Sequence, residues 1–78
     1  MYYVYLLELS NKQIYTGFTE NLKTRYPEHV GGQERTTKKY LPCKLISYVA
    51  LQSKYKALAF EKYLKSGSGS AFRNKHLT

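Results

Sequence analysis

The chain has 78 residues, enough for one domain around one modest hydrophobic core and too few for a separate recognition module. Its composition, 42% hydrophobic and 23% charged with nine Tyr and no long polar tract, excludes a disordered chain. The net charge of +8 is lopsided: residues 1–34 carry Lys12, Lys23 and Arg25 against Glu8, Glu20, Glu28 and Glu34, whereas residues 35–78 carry ten basic residues against Glu61 alone. A half so basic attracts polyanions, because neutralised phosphates release counterions, and the ordinary alternative is solvated charge. Cys43 is the only cysteine, which excludes an internal disulfide and a thiolate metal site and fits a reducing, cytoplasmic compartment. The apolar run from Tyr2 to Leu9 is too short for a membrane span and lacks a basic flank, so a membrane is not an expected partner.

Tyr2–Leu9 and Gln13–Thr19 are rich in Tyr, Val, Ile and Thr and are separated by Ser10-Asn11-Lys12, so they predict a β-hairpin. A three-residue loop sets Tyr5 opposite Gly17 and Leu7 opposite Tyr15, with Tyr3, Tyr5, Tyr15 and Gly17 on one face. A two-residue loop would split Tyr5 and Tyr15 across opposite faces. Thr19 then caps a helix over about residues 20–30, with Leu22, Tyr26 and Val30 inward and Gly31-Gly32 as its stop. Pro27 predicts a kink, an early break or a late start, since it removes the hydrogen bond to the Lys23 carbonyl. Residues 33–43 form a polar, basic connection, punctuated by Pro42. Lys44–Leu51 predicts a third strand, and Ser53 caps a second helix to Lys65 with Ala57, Phe60 and Leu64 buried. Gly67 and Gly69 interrupt the chain before a short final helix over Ser70–His76. The order β-β-α-β-α-α predicts a single α+β domain over 1–78, with a small three-stranded antiparallel sheet flanked by helices.

Glu61 lies at the margin of the second helix's apolar stripe and is the only acid in the basic half. It is placed either for an ion pair with a neighbour such as Lys65 or for holding a hard divalent cation. Arg25 and His29, four residues apart, share a helix face and offer a cation for a charged phosphorane and a proton carrier near neutral pH. The basic residues Lys38, Lys39, Lys62, Lys65, Arg73 and Lys75, with Tyr40, Tyr48 and Tyr55 among them, are the candidates for tracking phosphates and stacking bases.

The segments Tyr3-Val4-Tyr5 and Ile14-Tyr15-Thr16-Gly17, followed by Asn21-Leu22-Lys23-Thr24-Arg25 and Glu28-His29, resemble the GIY-YIG nuclease domain. Phe60-Glu61-Lys62-Tyr63-Leu64-Lys65 with Ser66-Gly67-Ser68-Gly69 resembles its small stand-alone YhbQ-like branch, and the ordered set carries more weight than any one piece. Phe18 stands where relatives in other branches carry Lys. The resemblance implies a metal-dependent endonuclease that hydrolyses phosphodiester bonds in DNA with one Mg²⁺ or Mn²⁺, a type of activity used in DNA repair. It implies catalytic roles for Tyr5, Tyr15, Arg25, His29 and Glu61, with Glu61 as metal ligand. Gly17 would allow close backbone approach to phosphate, and Asn74 would be a supporting polar residue. The partner expected is nucleic acid, DNA ahead of RNA, selected by structure more than by sequence. The alternative is a basic nucleic-acid-binding module with weak or lost activity.

Overall fold

The computed structural model describes all of residues 1–78. Its elements are β1 (Tyr2–Glu8), β2 (Ile14–Thr19), α1 (Leu22–Val30), a 3-10 turn (Lys38–Tyr40), β3 (Lys44–Leu51), α2 (Lys54–Lys65) and α3 (Gly67–His76). The three strands form one antiparallel sheet in the order β2-β1-β3, so the fold is α+β with the expected element order.

The hairpin has the three-residue loop. Leu9 N–H donates to the Gln13 carbonyl, and Lys12 takes a positive φ of 72°, the left-handed residue that such loops use to match the strand twist. The register follows, with Tyr5 opposite Gly17 and Leu7 opposite Tyr15. On the other side β1 pairs with β3, with Tyr5 opposite Tyr48 and an irregularity between Leu6 and Leu7.

As the central strand, β1 is covered on both faces, which is why Val4–Leu7 is a continuous buried run and not an alternating one. Val4 and Leu6 pack with Ala57 and Leu64 of α2, and Phe60, Leu77 and Ile46 fill in around them. Tyr5, Leu7 and Leu9 face the opposite way, against Tyr15, Leu22, Tyr26 and Leu45. Only 12 of 78 residues are buried, so the stability margin is narrow and each core side chain counts.

Helix α1 stops at Val30 before Gly31 as predicted but starts later, at Leu22. Asn21 caps it, not Thr19: the Thr19 hydroxyl accepts from Asn21 N–H at 3.1 Å, and the Asn21 side chain accepts from Thr24 N–H at 3.2 Å. The helix therefore begins at Leu22 and runs through Pro27 to Val30. Val30 is 51% exposed, and His29 takes the inward position. The connection after α1 is less open than its polarity suggests, since Thr37 is fully buried.

Ser53 caps α2 as expected, accepting from Lys56 N–H. The final helix starts at Gly67, not Ser70, because Ser66 ends α2 and also caps α3 by accepting from Gly69 N–H at 3.1 Å. Gly69 is buried against the last turn of α2, where any Cβ would overlap the Tyr63 carbonyl. Gly69 thus lets the two helices meet backbone to backbone, whereas Gly67 has open space around it.

Candidate active site

Tyr5 is the innermost member of the site, 1% exposed on the α1 face of the central strand. It reaches that depth because Gly17 lies opposite: a Cβ at Gly17 would overlap the phenol ring. The first use of this glycine is to house Tyr5, a role its sequence position did not reveal.

The Tyr5 hydroxyl lies 2.8 Å from His29 Nε2, and His29 Nδ1 lies 2.9 Å from Thr37 Oγ1. All three side chains are buried. A neutral imidazole has one N–H, and a phenol is a better donor than an aliphatic hydroxyl. We therefore assign Tyr5 O–H as donor to Nε2 and Nδ1–H as donor to Thr37. Burial lowers the His29 pKa below its usual value, with the nearby Arg25 cation adding to this and Glu34 opposing it, so the ring is neutral near pH 7. Burial raises the Tyr5 pKa to about 12 even though Arg25 lowers it. The phenol therefore keeps its proton unless a base takes it.

Tyr15 completes an aromatic cluster, its ring centroid 6.3 Å from that of Tyr5 and 5.2 Å from His29. Arg25 approaches the Tyr5 phenol without completing a hydrogen bond of good geometry, and that contact is the main cause of its raised pKa. Its firm contacts are carboxylates, Glu28 at 3.2 Å and Glu34 at 3.2 Å. The Arg25 and Glu28 side chains are 37% and 38% exposed, so such pairing is worth at most about 1 kcal/mol and a phosphate can displace it. Pro27 has not prevented Arg25 and His29 from converging on Tyr5.

Glu61 lies on α2, which packs against β1 and the edge strand β2. Its carboxylate pairs with Lys65 at 3.1 Å, the ion pair that helical spacing allowed. Burial raises the Tyr15 pKa, with Glu34 and Glu61 adding to the shift and Lys65 and Arg25 opposing it. No three His, Cys, Asp or Glu side chains converge. A single carboxylate with only oxygen donors suits a hard cation that keeps most of its waters and takes phosphate oxygens, as Mg²⁺ does.

Asn74 is not brought to this cluster. It lines a separate recess with Glu8, Lys12 and Lys44, and accepts from Arg73. Arg73 also reaches Thr16 at 3.4 Å. Lys38 and Lys39 are exposed on the turn that follows Thr37, and Lys62 and Lys75 are exposed on α2 and α3. Thr37 is the site residue that sequence reasoning missed, and nothing in Thr36-Thr37-Lys38-Lys39 marks it.

A family model described as the GIY-YIG catalytic domain matches residues 1–75. The chain belongs to the GIY-YIG family. Among curated proteins it is similar to a UPF0213 protein of Limosilactobacillus reuteri, 39% identical over 67 residues that cover 82% of this chain and 70% of the relative. It is also similar to a UPF0213 protein of Streptococcus pyogenes serotype M5, 38% identical over 64 residues that cover 81% and 70% of the two chains. No solved structure matches it significantly. The two GIY-YIG tripeptide positions, Tyr3-Val4-Tyr5 and Tyr15-Thr16-Gly17, lie on the paired strands β1 and β2. The family is one of endonucleases and implies a nucleic-acid substrate. No helix is long and apolar enough to cross a membrane.

Proposed function

We propose that this protein is a metal-dependent endonuclease that hydrolyses phosphodiester bonds in DNA, selecting by structure more than by sequence. The observation that carries the proposal is the buried chain Thr37–His29–Tyr5, which ends beside Arg25 and the half-buried Tyr15.

The scissile phosphate exchanges places with Glu28 and Glu34 at Arg25, whose cation receives the charge that grows on phosphorus. A water attacks in line. It forms the new O–P bond as its proton passes to the Tyr5 oxygen and the phenol proton passes to His29 Nε2. Thr37 holds the opposite N–H, keeping Nε2 free to accept, and Glu34 offsets the charge that His29 gains. Tyr15 borders the place where water and phosphate meet. Glu61 would hold one Mg²⁺ or Mn²⁺, releasing Lys65, and the ion would polarise the phosphate and ease departure of the leaving oxygen.

Lys38, Lys39, Lys62, Lys65, Arg73 and Lys75 supply sequence-independent phosphate contacts, although Arg73 is partly engaged by Thr16 and Asn74. A second reading, a binding module with little activity, draws support from the self-neutralised resting charges: Glu61 with Lys65, and Arg25 with two glutamates. Purified protein incubated with branched, nicked, duplex and single-stranded DNA and with RNA, in Mg²⁺, Mn²⁺ or chelator, separates the two. Cleavage in metal alone, greatest on branched DNA, is expected. Tight binding without cleavage in any ion supports the module.

A further inference from the structure

Helix α1 has a recess on each side of its N-terminal end. One holds Arg25 and Glu28 and runs past Thr24 to Glu20 and Asn21. The other is a groove of about 610 Å³ between α1 and the open part of the sheet, walled by Tyr3, Tyr26, Tyr48 and Leu45. Glu20 and Asn21 border both, so a chain lying at Arg25 can round the end of the helix and enter the groove.

The aromatic wall begins beside the catalytic phenol. Tyr48 is the β3 partner of Tyr5 and shares its sheet face, about 4.5–5.5 Å away between Cβ atoms. Helix α1 covers Tyr5, whereas Tyr48 stays 54% exposed and meets Tyr3 edge to face at 6.1 Å. An exposed Tyr48 packed edge to face on a half-buried Tyr3 leaves flat π surface free for a third ring. The charges at the rim are Glu20 and Lys23, one of each sign, so the groove has no net attraction for a phosphate. Its flat, aromatic, uncharged walls fit a nucleobase.

We propose that this groove stacks an unpaired base of the strand whose phosphate sits at Arg25, so that the protein favours substrates with a single-stranded segment beside the cleaved bond. The inference rests on the nuclease reading above. Bases inside a duplex are stacked on their neighbours and do not reach the groove, whereas a flap or gap offers a free π face.

The test compares affinities of the full chain for a flapped DNA and a fully paired duplex of equal length, at one salt concentration. Tyr48→Ala is expected to weaken flap binding roughly 5- to 150-fold while duplex binding changes by less than about twofold. Tyr48→Phe, which keeps the aromatic ring, keeps the wild-type preference. An abasic flap should reproduce the loss with the wild-type protein, which removes any dependence on a variant's folding. Equal losses on both DNAs, or no loss with either Tyr48→Ala or the abasic flap, overturn the groove and leave the nuclease reading intact, since the wild type still binds. Failure of the wild type to bind any DNA or RNA overturns both.

Discussion

Replacing Gly17 by Ala puts a methyl group into the space that the Tyr5 ring fills. Neither backbone nor ring can yield freely inside the sheet, so Gly17→Ala is expected to cost about 1–3 kcal/mol in denaturant unfolding and to displace Tyr5 from His29. Unchanged stability would mean that the ring has another place to go. Thr37→Val keeps shape but leaves the buried His29 Nδ1–H without an acceptor, at a cost of about 1–3 kcal/mol. Thr37→Ser should restore both stability and cleavage, which a packing role alone would not produce.

The same residues set how stability depends on pH. His29 has a lowered pKa when folded, so the unfolded chain binds its proton first. Stability is complete above about pH 6.5 and falls as the pH drops below that value toward the folded pKa. Tyr5 is raised from 10.0 to about 12, so the folded chain keeps a proton that the unfolded chain loses. Stability is complete below pH 10 and is lost as the pH rises through about 12. Thermal melts across pH should show this plateau, and Tyr5→Phe should shrink its alkaline limb to the part left by Tyr15 and Cys43, whose pKa values burial also raises. An alkaline limb unchanged by Tyr5→Phe would show that Tyr5 does not contribute to it.

At the level of elements, strand positions and register were legible because loop parity and side-chain alternation leave little freedom. The inward face of α1 was not. Positions 29 and 30 both follow Leu22 and Tyr26 within about a third of a turn, so hydrophobicity favoured Val30. The choice falls on His29 because Tyr5 and Thr37, distant in sequence, satisfy both of its nitrogens. Of the candidate site, the ordered motif picks out Tyr5, Tyr15, Arg25 and His29, which the fold brings together, while Thr37 lies in a connection with no local signal. Glu61 with Lys65 was readable as i, i+4 spacing. Pro27 costs α1 a hydrogen bond without ending it, so Pro27→Ala is expected to stabilise the protein by about 1–3 kcal/mol in denaturant unfolding. A loss of stability would show that proline's fixed φ is needed to aim Arg25 and His29.

Across the whole molecule, the charge asymmetry predicts which half meets phosphate. A body of 28 × 25 × 17 Å reaches about four or five phosphates, each adding roughly −0.9 to the slope of log K against log salt on duplex DNA. Neutralising Lys38 and Lys39 together should weaken binding to every DNA by a similar factor and flatten the slope by about one to two units, and Lys12→Ala should do much less. Intact affinity and slope in the double variant would place the phosphate surface elsewhere. The most direct measurement is cleavage and binding of one branched DNA in Mg²⁺, followed in parallel for the wild type and Glu61→Gln. The wild type should cleave and stop when the metal is chelated, and Glu61→Gln should bind with equal or higher affinity and not cleave. Cleavage by Glu61→Gln at the wild-type rate, or a wild type that binds and never cleaves, would contradict the assignment of a metal-dependent nuclease site.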